Sequence, residues 1–231
     1  FPTRRSSDLI AYDKKDYEPA RAYFKLMRQY ASKQKSIIEA DLGILRSSYF
    51  LNDHTTTIDV ATQLLANDAI SQEVRDEALY NRAKSLLAEE KYGLASVDFT
   101  PLSKDVRIVT GAEAKYWVAY CYFQLGALDN AEEEIMSFAG MKTQHQYWLA
   151  KAFILLSDIN VQKGDLFQAK QYLLSLQNNY RNATDDIHSI IAQHLEEIDK
   201  MMNASEEKKE VENDSIYESQ EFEVEKEAMY E

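Results

Sequence analysis

Along the chain, a small residue is followed again and again by large apolar residues four and seven positions on. The sets read Ala20, Phe24 and Met27; Ala61 and Leu65, with Asp68 in the third place; Ala95, Phe99 and Leu102; Ala131, Ile135 and Phe138; and Ala169, Leu173 and Leu176. Offsets of four and seven share one face of an α-helix, so each set predicts one apolar stripe of one helix. The alanines stand 41, 34, 36 and 38 residues apart. Polar breaks precede three of them, in EEKYGLA, QLGALDNA and QKGDLFQA, and a second helical stretch lies upstream of each break. Gly126 and Gly164 stand where a left-handed residue would close that upstream helix. The pattern predicts a unit of helix, tight turn and helix, repeating about every 34 to 38 residues.

These units resemble the tetratricopeptide repeat (TPR). Ala119 and Tyr122, followed after the turn by Ala131 and Ile135, fill the small and large places of one unit; Ala83, Leu86, Ala95 and Phe99 fill the unit before it. Ser157 and Asn160 match less well in the last unit, and the unit around Ala61 lacks a turn glycine. The resemblance covers roughly residues 10–182, as four to five repeats with the first one truncated. It implies an all-α fold, a right-handed superhelical solenoid of antiparallel helix hairpins. Small residues at the anchors Ala20, Ala61, Ala95, Ala119, Ala131 and Ala169 let paired helices approach, because a larger side chain there would overpack by about 1–3 kcal/mol. No unit can bury its apolar face alone, so each needs neighbours stacked on it.

The chain closes with a different pattern. In TDDIHSIIAQHLEEIDKMM, residues Ile187, Ile191, Leu195 and Ile198 form one stripe opposite Gln193, Glu196, Glu197 and Lys200. This predicts a capping helix over residues 183–202, polar on its outer face. Beyond it, residues 203–231 carry eleven Asp or Glu against three Lys and no sustained stripe, the composition of a disordered acidic tail.

Composition narrows the function classes. Six glycines and three prolines in 231 residues are too few for an antiparallel β protein of this length. A net charge of −13, of which the tail holds −8, argues against a nucleic-acid backbone as partner. The lone Cys121 excludes a disulfide framework and a Cys-rich metal site, and its apolar setting predicts a buried, unreactive thiol. No apolar run is long enough for a transmembrane helix. The four histidines, His54, His145, His188 and His194, show no metal-ligand spacing, and the HExxH, GxSxG, P-loop and Rossmann patterns are absent. No enzyme, cofactor or metal is indicated.

A protein or peptide partner is indicated instead. In the TPR arrangement the first helices line a concave face. Turn-spaced residues there are Tyr80 and Lys84, then Glu113, Tyr116, Tyr120 and Phe123, then Ile154 and Asp158. Tyrosine offers amphipathic contact area at low entropic cost, which suits a peptide or a partner helix. Relatives that clamp a C-terminal carboxylate place Lys and Asn a turn apart, then Lys and Arg; Tyr80, Lys84, Glu113 and Tyr120 depart from that set. The expected function is a non-enzymatic interaction scaffold. The alternatives are a fixed assembly subunit of a bacterial cell-envelope machine and the repeat region of a protein with an upstream enzymatic domain. The stretch HQYWLAKAFILLSDINVQKGDLFQAKQYLLSLQNNY resembles the ends of large multi-repeat proteins of Gram-negative bacteria, which implies the periplasm or outer-membrane periphery. Residues 1–9, FPTRRSSDL, carry none of the repeat pattern and resemble a sequencing-adapter oligonucleotide read as protein. The expectation is a C-terminal fragment of a longer repeat protein.

Overall fold

Few residues in this chain can stop a helix, and the fold is built on where it does stop. The structure, a computed structural model, describes residues 16–228, with side chains as far as residue 207. The adapter-like segment 1–9 and residues 10–15 of the expected truncated first repeat lie outside the described residues. Ten helices occur among the described residues: α1 (Tyr17–Tyr30), α2 (Gln34–Phe50), α3 (His54–Leu65), α4 (Gln72–Ala88), α5 (Tyr92–Leu102), α6 (Val109–Gln124), α7 (Leu128–Gly140), α8 (Gln146–Gln162), α9 (Leu166–Asn179) and α10 (Ile187–Ala228). They fall into two compact units, one through Leu149 and one from Ala150, so that the division lies within α8.

Four hairpins turn on one device. Asn52, Glu90, Gly126 and Gly164 all have positive φ, at 56°, 57°, 73° and 83°. In each turn the next residue donates its N–H to the carbonyl five positions back: Asp53 to Ser48, Lys91 to Leu86, Ala127 to Tyr122 and Asp165 to Asn160, at 2.8–2.9 Å. This bond satisfies a carbonyl left open at the helix end and aims the chain into the second helix. The turns at Gly126 and Gly164 follow the sequence expectation. Those at Asn52 and Glu90 do without glycine, and the α2/α3 hairpin reads poorly as a repeat because Thr57 also replaces its small anchor.

The turns also reset the register of the second helices. Ala95, Ala131 and Ala169 each lie five residues after a left-handed residue, and the residue five after Asn52 is Thr57. Thr57 is fully buried and donates its hydroxyl to the Asp53 carbonyl at 2.8 Å. The expected anchor Ala61, also fully buried, stands one turn further on, in line with Phe99, Ile135 and Leu173. With Thr57 as anchor the spacing from Ala20 becomes 37, 38, 36 and 38 residues.

In the first unit α1 lies on α2, followed by the hairpins α2/α3, α4/α5 and α6/α7. Gly43 lets α1 come close, because a Cβ there would sit 2.3 Å from the ring of Phe24. Leu86, Phe99, Leu102, Val118 and Cys121 form one buried cluster from α4, α5 and α6, with Tyr80, Tyr92, Trp117 and Tyr122 packed around it. Phe99 is fully buried, a contribution of about 1.5–3 kcal/mol. Pro101 lies in the last turn of α5, and the chain then folds back over the start of α6. A Cβ on Gly111 would come within 2.0 Å of the Asp105 carbonyl oxygen, so only glycine admits this return.

In the second unit Ser157 donates its hydroxyl to the Ala169 carbonyl at 3.0 Å, tying α8 to α9 where Ala119 stands one hairpin earlier. Ile187, Ile191 and Ile198 are buried on the inner face of α10. That helix does not stop near Met202 as expected; it continues to Ala228. Residues 187–228 contain neither glycine nor proline and are rich in Glu, so no breaker interrupts the helix where the apolar stripe gives out.

Candidate protein-interaction surface

The side chains singled out on the first helices meet within the first unit. Tyr80 and Lys84 stand one turn apart on α4, and Glu113 and Trp117 one turn apart on α6. The Tyr80 hydroxyl donates to Glu113 Oε2 at 3.0 Å, Lys84 Nζ donates to Oε1 at 3.0 Å, and Trp117 Nε1 donates to Oε1 at 2.9 Å. Lys84 Nζ also lies 4.4 Å from the centroid of the Trp117 ring, a cation–π contact. One carboxylate thus gathers a phenol, an ammonium and an indole. Burial, followed by the charge of Glu113, pushes the Tyr80 phenol far above its ordinary pKa, so it remains a donor at any physiological pH.

The same seam exists one hairpin earlier. Arg46 holds Glu77 with two bonds, Nε to Oε1 at 2.5 Å and Nη2 to Oε2 at 2.6 Å. Arg46 and Lys84 each lie six residues before their left-handed residue, and Glu77 and Glu113 each lie thirteen before theirs. A cation on one first helix therefore pairs with a glutamate on the next. In the second unit Asp158, six residues before Gly164, pairs instead with His194 of α10 at 3.3 Å. The Asp158 carboxylate, with the Ile190 carbonyl behind it, raises the His194 pKa against the opposing effect of burial.

Lys84, Glu113 and Asp158 are thus engaged within the chain. Tyr116 and Ile154 are 7% and 4% exposed, so their side chains have almost no surface to offer a partner. Aromatic packing explains Tyr116: its ring lies 4.9 Å from Trp117 and 5.6 Å from Trp148. Tyr120 and Phe123 remain partly exposed. Three aromatic residues outside the expected binding set pack around Tyr120 and one another, Tyr92, Trp117 and Trp148. Tyr120 stands perpendicular to Trp117 at 5.3 Å, Tyr92 meets Tyr120 edge-on at 6.3 Å, and Trp148 lies 6.4 Å from Trp117. Trp117 was legible as a candidate, since it follows Glu113 by one helical turn. Trp148 was not, because nothing within its own helix says which neighbour it meets.

Cys121 is buried, and burial pushes its thiol up to about 12, the behaviour of a packing residue. Among the described residues no group of three or more His, Cys, Asp or Glu could hold a metal ion, and no helix is long and apolar enough to cross a membrane.

No family model matches this sequence, and no curated protein matches it. Solved structures do resemble it. A structure of MamA from Desulfovibrio magneticus RS-1, residue 41 to the end, superposes with a TM-score of 0.59 at 18% identity, over 78% of this chain and 95% of that one. A double mutant of RS-1 MamA gives 0.57 at 17% identity, over 75% and 90%. MamA is a TPR protein, and at these identities the likeness carries the fold: this chain has a TPR-like fold, an all-α solenoid of helix hairpins.

Proposed function

We propose that this chain is a non-enzymatic protein–protein interaction scaffold that holds a segment of a partner protein against the aromatic surface of Tyr92, Trp117, Tyr120, Phe123 and Trp148. The observation that supports this most is the pairing of partly exposed rings with charges already neutralised inside the fold. Lys84 and Glu113 need nothing from a ligand, so a partner can cover the surface without stranding a charge. Tyr and Trp edges keep a polar handle at the rim while their faces bury apolar area. A random twelve-residue peptide library selected against the whole chain tests the reading. Enriched peptides are expected to bind Tyr120→Ala about tenfold more weakly than the parent. A library that yields no consensus, or peptides indifferent to that change, overturns it.

A permanent assembly role is a second reading, and α5 favours it. Leu94 and Val97 are 60% and 66% exposed and, with Pro101, form an apolar side of a helix whose opposite side buries Ala95, Phe99 and Leu102. Such a helix is ordinarily covered on every side. Recovery of the natural complex with one stoichiometric partner over Leu94 and Val97 supports the assembly role, and unchanged recovery with Leu94→Glu rejects it.

A further inference from the structure

Glu90 occupies a backbone conformation that suits glycine. Its φ is 57°, and the corresponding places one and two hairpins later hold Gly126 and Gly164. Asn52, the other non-glycine residue at this site, is a side chain that tolerates the left-handed region well; glutamate does not. Nothing in the packing calls for a long side chain there, since Glu90 is exposed and its carboxylate has no hydrogen bond or ion pair among the described residues. Two residues later Tyr92 begins α5, with its ring against Tyr120.

The neighbouring seam shows what such parts do. There an ammonium, Lys84, rests on the Trp117 ring and is bonded to the Glu113 carboxylate. Glu90 and the partly exposed rings of Tyr92 and Tyr120 have no cation bonded to them among the described residues, because Lys91, which lies between them, pairs with Glu89 at 2.6 Å. Resting on the interaction surface proposed above, we infer that Glu90, Tyr92 and Tyr120 form a subsite for a lysine or arginine side chain of the partner segment. The cation lies over the phenol rings and bonds to the Glu90 carboxylate. The charge of Glu90 already reaches the Tyr120 hydroxyl, whose pKa is raised by burial first, then by Tyr92, and last by Glu90. Without its acidic tail, which holds −8 of the −13, the chain is still net negative at −5, which draws basic segments in and holds acidic ones off.

The random twelve-residue peptide library tests this through composition as well as affinity. Enriched peptides are expected to share a lysine or arginine, and replacing it with norleucine should weaken binding about tenfold. Glu90→Gln, which keeps the same backbone demand, should weaken the parent peptide by a similar factor and the norleucine peptide hardly at all. Peptides that lose affinity for Tyr120→Ala yet carry no basic residue, or ignore Glu90→Gln, overturn the subsite and leave the interaction surface standing. A library without any consensus overturns both.

Discussion

Arg82 on α4 grips Asp98 on α5 with two parallel bonds, Nε to Oδ2 and Nη2 to Oδ1, both at 2.7 Å. Its Nη1 also reaches the Thr62 hydroxyl of α3 at 3.0 Å. The Asp98 side chain is 4% exposed, so its charge depends on this one arginine. Arg82→Ala is expected to cost about 3 kcal/mol, because it leaves a buried carboxylate unpaired. Changing both residues together, Arg82→Met with Asp98→Leu, should cost clearly less. Urea unfolding of the three variants measures this, and a double variant as unstable as the single one would contradict it.

Glu90→Gly should stabilise the fold by roughly 0.5–1 kcal/mol, since relief of the left-handed strain outweighs the freedom glycine gains when unfolded. Gly126→Ala should do the reverse by a similar amount, although a Cβ there would meet nothing within 4 Å; its cost is purely conformational. Thermal melts of the two variants should therefore move in opposite directions. If the basic subsite holds, Glu90→Gly becomes more stable and binds less well, strain kept for a purpose.

Thr57 tests the corrected register. Thr57→Leu is expected to destabilise by about 1–3 kcal/mol, as Ala131→Leu should, because both sites are fully buried where two helices of a hairpin approach. Thr57→Ala should change little, since the Asp53 carbonyl that loses the hydroxyl keeps its bond from the Thr57 N–H. A Thr57→Leu protein that melts with the parent would refute the alignment.

His194 gives the second unit a pH dependence. A histidine whose pKa is raised by folding stabilises fully below its unfolded value near 6.5 and loses that contribution as pH climbs through the raised one. The groups facing it are Asp158 on α8, and Glu197 and the Ile190 carbonyl on its own helix. Between pH 5.5 and pH 8 the parent should lose stability relative to His194→Gln. Subtracting the variant cancels every pH-dependent contribution that the two proteins share. Parallel curves would show that the Asp158 pair contributes nothing.

Most of the hairpin architecture was legible in the spacing of small and large residues, because that spacing is the direct image of helix contacts. What escaped was chemistry that a different residue performs equally well. Asn52 and Glu90 turn the chain without glycine, and Thr57 fills a small site by folding its hydroxyl onto Asp53. The candidate surface was half legible. Four-residue spacing correctly put Tyr80 with Lys84 and Tyr116 with Tyr120 on common faces, but the burial of Tyr116 depends on Trp148, a residue contributed by another helix. The length of α10 was missed because hydrophobic periodicity was the signal followed, and the absence of glycine and proline beyond Met202 was given no weight.

Two seams between first helices have a polarity. Arg46 and Lys84 are plugs on the earlier helix, and Glu77 and Glu113 are sockets on the later one, so hairpins built to this rule can be exchanged along the stack but not reversed. Tyr120 holds the plug place in the next hairpin, and Asp158 puts an acid there in the one after, where it accepts the His194 imidazole. A further hairpin bearing the usual glutamate would meet a like charge at that seam. The electrostatics therefore discriminate between continuing the array and closing it with α10.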